Sequence, residues 1–286
     1  MRILIAANKS SDALEALHLG CQIARRADEP PTLLTVIGPR VECHPPHAAN
    51  TPSSVGASLD PELLNVRTKV RVGYPVKEII REAQEGRYDL LIISGPQGRH
   101  RLAHSLLGST ALRVAKHAPC SVLVEKGNGR PIRHILLCDS GAESPSIGLS
   151  RAARHPALIQ FTAQLVDLLE QDVEITVLHV MSQISARPGL PGRQLRAGAE
   201  ELIAESSPEG ELLKQDIRSL ARPGIHLQPR VRHGLVVDEI LTESRDGDYD
   251  LVIIGARHDY GPRHILLEDL AQRIVSRSDR AVLVVR

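Results

Sequence analysis

The stretch RVGYPVKEIIREAQEGRYDLLIIS, from Arg71 to Ser94, decides the fold because the chain contains it twice. It recurs as RHGLVVDEILTESRDGDYDLVIIG, from Arg232 to Gly255. The two stretches align without a gap and are identical at about half of their positions. Repeated sequence implies repeated architecture. We therefore predict two copies of one domain in a single chain.

The repetition extends outward from this stretch in both directions. RILIAANKS (2–10) corresponds to RHILLCDSG (133–141), TLLTVIG (32–38) to ITVLHVM (175–181), and APCSVLV (118–124) to DRAVLVV (279–285). Two copies fill the chain. The predicted domains are residues 1–128 and residues 129–286.

Short apolar runs alternate with amphipathic segments inside each copy. In the first copy we predict helices from about Pro75 to Gln84 and from about Ser109 to His117. An earlier helix would begin at Ser10 or Ser11 as the N-cap, since a hydroxyl side chain there can accept a backbone N–H. Its apolar face would consist of Leu14, Leu17, Cys21 and Ala24. Continuous apolar runs that alternate with helices indicate a parallel sheet. The predicted fold class is α/β, with two tandem doubly wound domains, each with a five-stranded, mainly parallel sheet flanked by helices.

Composition excludes several classes of protein. The longest apolar runs are of strand length, and the sequence enters RILIAA without a signal peptide, so we expect a cytoplasmic protein with no membrane segment. Aromatic residues make up 2% of the chain, Trp is absent and the net charge is +1, which argues against nucleic-acid binding. The scattered cysteines form no C-x-x-C pair and are expected to be reduced thiols: Cys21, Cys43, Cys120 and Cys138.

Charge is distributed unequally between the two halves. The first 129 residues carry 16 Lys and Arg against 12 Asp and Glu, and the remainder carries 19 against 22. The first half is therefore better suited to bind an anion.

Three segments depart from the strand and helix alternation. Residues 38–61 are rich in Pro, Ser and Gly, which is typical of a surface loop. Cys43, His44 and His47 lie close together there, but their number and spacing favour an ordinary polar loop over a metal site. Residues 141–156 and 185–200 are insertions in the second copy, to which we assign no chemistry.

The segment GPQGRHRLAHSLLGST, from Gly95 to Thr110, is the candidate binding site. It follows a predicted strand, and ligands of open α/β sheets bind at the carboxyl ends of strands. Gly95 and Gly98 would allow the backbone to turn close to a ligand. Gly108, Ser109 and Thr110 begin a helix, whose free N–H groups attract phosphate. We call this segment the phosphate cradle. The alternative is that its glycines only end a strand and cap a helix; it is not a P-loop.

The order G-x-x-G, nine residues, G-S, then a helix and the strand APCSVLV resembles the ATP-binding signature of the universal stress protein family. The resemblance implies an ATP- or AMP-binding α/β protein that acts as a stress-response regulator, with or without Mg²⁺. It implies phosphate contacts at Gly98, Gly108, Ser109 and Thr110, a ribose contact near Gly95, and adenine-side contacts at Ala6, Asn8 and Val36. The family usually has Asp at the position of Asn8, whose amide still offers one acceptor oxygen.

The second copy departs further from the family pattern. Gly255 is retained, but His258 takes the second glycine position and Glu268 and Asp269 replace the G-S pair. We expect these carboxylates to lie at a helix N-terminus and to repel phosphate. Asp139 remains near the acidic position of the family. The second copy would then keep the nucleoside side of a site without its phosphate side.

Three functions remain open. The first is a nucleotide-binding regulator, and the second is an interaction or structural module that has lost nucleotide binding. The third is a weak ATPase, although no carboxylates beside the cradle suggest a catalytic metal site. We predict no catalytic residues and at most slow ATP hydrolysis. The expected partners are an adenine nucleotide and an unidentified protein. Because the resemblance implies pairing through the last strand of each domain, we expect an intramolecular pseudo-dimer, with a homodimer as the open alternative.

Overall fold

The computed structural model describes residues 1–7, 12–39, 65–95, 109–126, 130–138, 156–169, 172–181, 197–256 and 264–286. The chain divides into two compact units, Met1–Gly129 and Arg130–Arg286, which we call the first and second unit. Strands and helices alternate in both units, so the α/β fold class is confirmed.

The first unit contains five parallel strands. Its elements are β1 (Ile3–Ala6), α1 (Asp12–Ala24), β2 (Thr32–Ile37), β3 (Arg67–Val72), α2 (Pro75–Gly86), β4 (Leu90–Ser94), α3 (Ser109–His117) and β5 (Ser121–Glu125). The strand order within this unit is β3-β2-β1-β4-β5, and every described pair is parallel. The order reverses at β1, which is the arrangement of a doubly wound sheet.

The second unit repeats this strand topology, and two helices are described between its second and third strands. Its elements are β6 (His134–Cys138), α4 (Pro156–Leu168), β7 (Val173–Met181), α5 (Ala199–Ala204), α6 (Pro208–Leu220), β8 (Ile225–His233), α7 (Val236–Asp246), β9 (Leu251–Gly255), α8 (His264–Arg277) and β10 (Ala281–Val285). The order within this unit is β8-β7-β6-β9-β10, again with parallel pairs. Helix α5 begins inside the insertion 185–200, and α6 packs on β7 and β8.

Helix α1 follows the prediction except at one residue. Leu17, Cys21 and Ala24 are buried, whereas Leu14 is exposed, so its assignment to the buried face is wrong. Leu14 lies in the first turn of α1, which begins at the carboxyl edge of the sheet where β1 has already ended. The proposed N-caps Ser10 and Ser11 lie outside the described residues.

The repeated stretch that begins at Arg71 builds an ion cluster in the first unit. Arg71 on β3 contacts three carboxylates of α2: Nε bonds Glu82 Oε2 at 2.7 Å, Nη1 lies 3.4 Å from Glu78 Oε2, and Nη2 bonds Glu85. Lys69 Nζ also lies 2.7 Å from Glu82 Oε2. These contacts hold α2 against the outer strand of the sheet.

The second unit contains the same ion cluster at the corresponding positions. Arg232 on β8 contacts Glu239, Glu243 and Asp246 of α7, and Arg230 Nε lies 3.5 Å from Glu243 Oε1. The identities shared by the two repeated stretches therefore include the residues that dock one helix on one strand.

A glycine precedes the helix in both stretches for a steric reason. Gly73 has φ +151°, and a Cβ there would lie 2.8 Å from Glu78 Cγ, within the ion cluster. Gly234 has φ +153° and faces Glu239 in the same way. Residues with a side chain rarely adopt this conformation. The shared glycine therefore belongs to the packing of the cluster.

Candidate nucleotide site at the carboxyl edge

Strand β1 lies at the point where the strand order of the first unit reverses. Ala6, its last residue, pairs with Leu34 of β2 on one side and with Ile93 of β4 on the other. The connections from β1 and β4 leave in opposite directions, which opens a crevice above the carboxyl ends of these strands. The predicted adenine-side residues Ala6 and Val36 lie on two of the strands that border it.

The two described adenine-side residues lie at different positions along the strand direction. Ala6 is buried in β1, and the next residue, Ala7, donates its N–H to Leu34 O at 3.2 Å. Val36 lies two residues beyond Leu34, and it is partly exposed past the end of β1. Asn8, the third predicted adenine-side residue, lies outside the described residues.

Gly95 follows β4 directly at the same edge. Its N–H donates to Glu125 O at 2.6 Å, and a Cβ built on it would lie 2.9 Å from that oxygen and 3.2 Å from Lys126 Cδ. The glycine is thus explained by close packing against the end of β5. Its predicted ribose contact stays a prediction.

Helix α3 supplies the phosphate side of the candidate site. It begins at Ser109 and Thr110 and has no acidic residue in its first turn. The first N–H groups of a helix have no partner within it, so they are available to an anion at its positive dipole end. Since α3 leads from the carboxyl end of β4 to the start of β5, its N-terminus lies at the edge that carries Ala6 and Gly95. Gly98 and Gly108 lie outside the described residues.

Strand register corrects several correspondences between the copies by one residue, including the matches of TLLTVIG to ITVLHVM and of APCSVLV to DRAVLVV. Ser94 pairs with Glu125, and Gly255 pairs with Val285, the last residue of β10. Ala256 then donates its N–H to Val285 O at 2.7 Å, as Gly95 does to Glu125 O. The counterpart of Gly95 is therefore Ala256, and the second unit has lost this glycine as well.

Another correction concerns the first strand of each unit. Ile3 pairs with Leu90, and Ile135 pairs with Leu251, which occupies the position of Leu90 in the repeat. Cys138 therefore corresponds to Ala6, and the match of RILIAANKS to RHILLCDSG was wrong by one residue. Asp139 follows Cys138 and matches Ala7 in sequence, so the acidic position is not that of Asn8. Asp139 and His258 lie outside the described residues.

Helix α8 differs from the prediction at its N-terminus. It begins at His264, so Glu268 and Asp269 are its fifth and sixth residues, and no acidic residue lies in its first turn. The placement of these carboxylates at the helix N-terminus is wrong. The N–H of a fifth helical residue donates to the carbonyl four positions earlier and is not free for a ligand.

The C-terminal ends of α3 and α8 show which residues of the two helices correspond. Ala118 donates to Val114 O, and Ser278 donates to Ile274 O, both at 2.8 Å directly after the helix. Counting back from this common end aligns Ser109 with Asp269. In the second unit, helical backbone therefore occupies the position at which α3 begins in the first.

Sequence reasoning missed the ion clusters as structural features. Lys69 and Arg71 donate hydrogen bonds to Glu82, and these outweigh its burial and lower the pKa of its carboxyl. In the second unit, burial and the nearby Glu243 raise the pKa of Tyr249 to about 12. The sequence did contain a signal for the clusters, because the same spacing of Arg and Glu occurs in both copies of the repeated stretch.

Two searches of the described residues bear on ligand classes. No group of three or more His, Cys, Asp or Glu in this part of the chain could hold a metal ion. Cys43, His44 and His47 lie outside it. Among the described helices, none is both long and apolar enough to cross a membrane.

Comparison with known proteins identifies the family. The model of the universal stress protein family matches residues 1–126 and again residues 131–286. A universal stress protein from Methanocaldococcus jannaschii is 40% identical over 63 residues, which span 22% of this chain and 36% of that relative. The matching segment thus covers about a third of that curated relative.

One solved structure is similar in fold over nearly the whole chain, and a second aligns with about half of it. A putative universal stress protein from Pseudomonas aeruginosa aligns over 99% of this chain and 92% of its own, with a TM-score of 0.63 and 17% identity. The universal stress protein from Archaeoglobus fulgidus, solved in complex with dAMP, aligns over 54% of this chain and 98% of its own, with a TM-score of 0.34 and 16% identity. Since the family model matches both halves of the sequence, this chain belongs to the universal stress protein family and contains two tandem domains of it.

Proposed function

We propose that the protein is a stress-response regulator that binds one adenine nucleotide, ATP or AMP, in its first unit. The observation that carries this proposal is the glycine-rich sequence of the phosphate cradle, supported by the end of β4 at Ser94 and the start of α3 at Ser109. Membership of the universal stress protein family supports the regulatory role. The first unit also carries the excess of positive charge.

Each predicted contact has a chemical reason. The N–H groups and hydroxyls of Ser109 and Thr110 can donate to phosphate oxygens, and Gly98 and Gly108 would let backbone N–H groups approach them. Ala6, Asn8 and Val36 would contact the adenine, with Gly95 near the ribose. When ATP is bound, Mg²⁺ would be held mainly by the phosphates and water, which matches its preferred chemistry.

The second unit should not bind a phosphate-bearing nucleotide. Glu268 and Asp269 lie inside α8, whose backbone N–H groups at these positions are engaged within the helix. Two carboxylates near a phosphate would add repulsion. We therefore expect a stoichiometry of one nucleotide per chain.

The test is a titration of the nucleotide-free protein with ATP, AMP and dAMP by calorimetry. Gly108→Glu should abolish binding because it places a carboxylate at the start of α3. The matched control, Glu268→Gly, changes the corresponding position of the second unit and should leave the affinity unchanged. A stoichiometry of two, or binding that survives Gly108→Glu, would show that the site is assigned incorrectly.

Two further measurements separate the alternative functions. Chromatography of an extract of the purified protein identifies any nucleotide that copurifies. If none copurifies and titration detects no binding, the protein is an interaction module of the same fold. Phosphate release during incubation with ATP and Mg²⁺ would instead identify an ATPase.

A further inference from the structure

An exposed aromatic residue lies at the carboxyl edge of the first unit. Tyr74 is 71% exposed, in a chain that has four Tyr, one Phe and no Trp. It is the N-cap of α2, and its carbonyl accepts the N–H of Glu78 at 3.0 Å. Its side chain makes no cap hydrogen bond. The backbone of Tyr74 is therefore fixed, while its ring is open to solvent.

The other tyrosines whose surroundings are described have structural contacts. The Tyr88 hydroxyl donates to Glu82 Oε1 at 3.3 Å, and the guanidinium of Arg2 lies 5.4 Å from its ring centre. Tyr249 is buried and donates to Glu243 Oε1 at 3.0 Å. The hydroxyls of Tyr88 and Tyr249 thus bond to carboxylates of the ion clusters.

The strand register places Tyr74 beside the candidate nucleotide site. Val36 pairs with Arg71, and the Gly73 N–H donates to Ile37 O at 2.9 Å, so the chain is held against β2 until the residue before Tyr74. Adjacent strands are ~4.8 Å apart, a spacing that a tyrosine side chain can span. Ile37 and Val72 are exposed next to it. Ile37 follows Val36 on β2 and pairs with Val72, so the exposed residues Ile37, Val72 and Tyr74 lie together at the carboxyl ends of β2 and β3.

We propose that Tyr74 stacks on the adenine base of the nucleotide and determines the preference of the first unit for nucleotides over other phosphates. A flat heterocycle with two apolar faces matches a solvent-exposed ring, and base stacking on aromatic residues requires no fixed hydrogen-bond pattern. The second unit has Leu235 at the corresponding position, exposed but without a ring. The unit that lacks the phosphate cradle thus also lacks the aromatic residue. This inference rests on the proposed function.

The test compares ATP with inorganic tripolyphosphate, which has the phosphates but no base. Tyr74→Leu introduces the residue of the second unit, and we expect it to weaken ATP binding about tenfold or more. It should leave tripolyphosphate binding within about twofold of the wild type, because the cradle is intact. Tyr74→Phe keeps the ring and should bind ATP within about twofold of the wild type. The matched control, Leu235→Ala, should change neither affinity.

The outcomes separate this inference from the proposed function. If the wild type binds ATP and Tyr74→Leu binds it equally well, stacking is wrong and the proposed function stands. If Tyr74→Leu loses ATP and tripolyphosphate to the same extent, Tyr74 supports the fold of the edge and not the base, and stacking is again wrong. If the wild type binds no nucleotide, the proposed function and this inference both fall.

Discussion

The two units share one surface and differ at another. Where β3 meets α2 and where β8 meets α7, the same ion cluster and the same strained glycine recur. At the carboxyl edge, the first unit has Gly95 and the start of α3, whereas the second has Ala256 and helical backbone in the corresponding place. Residues that dock a helix on a strand have been kept in both units, while those that would bind a phosphate occur in one. Under the proposed function, stability and ligand binding would depend on separate sets of residues in this fold.

The strongest test of this comparison removes the central cation of each ion cluster. Arg71→Ala would remove the cation shared by Glu78, Glu82 and Glu85 and leave Glu82, whose side chain is 1% exposed, with Lys69 alone. We expect a loss of about 3 kcal/mol in unfolding free energy. Arg232→Ala should also be strongly destabilising, but less so, because Arg232 is 25% exposed against 13% for Arg71. Denaturant unfolding of the full chain measures both.

An exposed ion pair on the same helix serves as the control. Arg81 Nε lies 2.8 Å from Glu85 Oε1, but both side chains are about half exposed. Arg81→Ala should therefore cost at most about 1 kcal/mol. Similar losses for Arg71→Ala and Arg81→Ala would mean that the cluster does not stabilise the unit.

The clusters also predict that the first unit loses stability at acid pH and the second at alkaline pH. In the first, hydrogen bonds from Lys69 and Arg71 overcome the burial of Glu82 and hold the pKa of its carboxyl below the ordinary value. A lowered carboxyl pKa stabilises the fold above the unfolded pKa, and this contribution is lost as pH falls through the folded value. Glu82→Gln should flatten the acid limb of a stability-versus-pH curve below about pH 4.5. An unchanged limb would contradict this assignment.

In the second unit, stability is expected to fall at alkaline pH. The pKa of Tyr249 is raised from 10.0 to about 12, first by burial. The folded state therefore holds the phenolic proton more tightly, and the resulting stability, complete below pH 10, is lost as pH rises toward 12. Tyr249→Phe should remove this dependence. Absorbance titration of the phenol checks the pKa directly, and a titration midpoint near 10 would refute the shift.

The smallest expected effect comes from exchanging side chains at the diverged edge. The double variant Glu268→Gly, Asp269→Ser copies the G-S pair of the first unit into α8. We expect no second nucleotide to bind, because the backbone N–H groups there remain engaged in the helix. The measurement is the number of ATP molecules bound per chain. A rise from one to two would show that the two carboxylates alone had prevented binding in the second unit.

Much of the fold was predictable because its determinants are local. The apolar runs and amphipathic segments predicted β1 through β5 and helices near the observed bounds of α2 and α3. Leu14 was assigned incorrectly because helical periodicity gives a face but not where the sheet beneath it ends. Helix α6 was not predicted, since the sequence stretches matched between the two copies do not include the segment between β7 and β8.

The correspondence between the candidate sites was less predictable. The motif comparison matched Gly95 to Gly255, whereas the gapless alignment of the repeat and the hydrogen-bond register both match Gly95 to Ala256. One residue is missing from the second unit between β9 and the end of α8. The start of α8 at His264 was also misplaced, since acidic residues are favoured near helix N-termini and suggested a boundary that the helix passes.

The sequence by itself determined the duplication, the α/β class and the family, because identities and spacings are properties of the chain alone. Only the tertiary structure decided which residues correspond across the two units, which backbone N–H groups are already bonded, and which charges meet around Arg71 and Arg232. Register and hydrogen-bond occupancy depend on neighbouring strands and turns that are distant in sequence. The sequence therefore shows that the second unit has different residues at the positions of the cradle. The structure shows that its backbone also differs there.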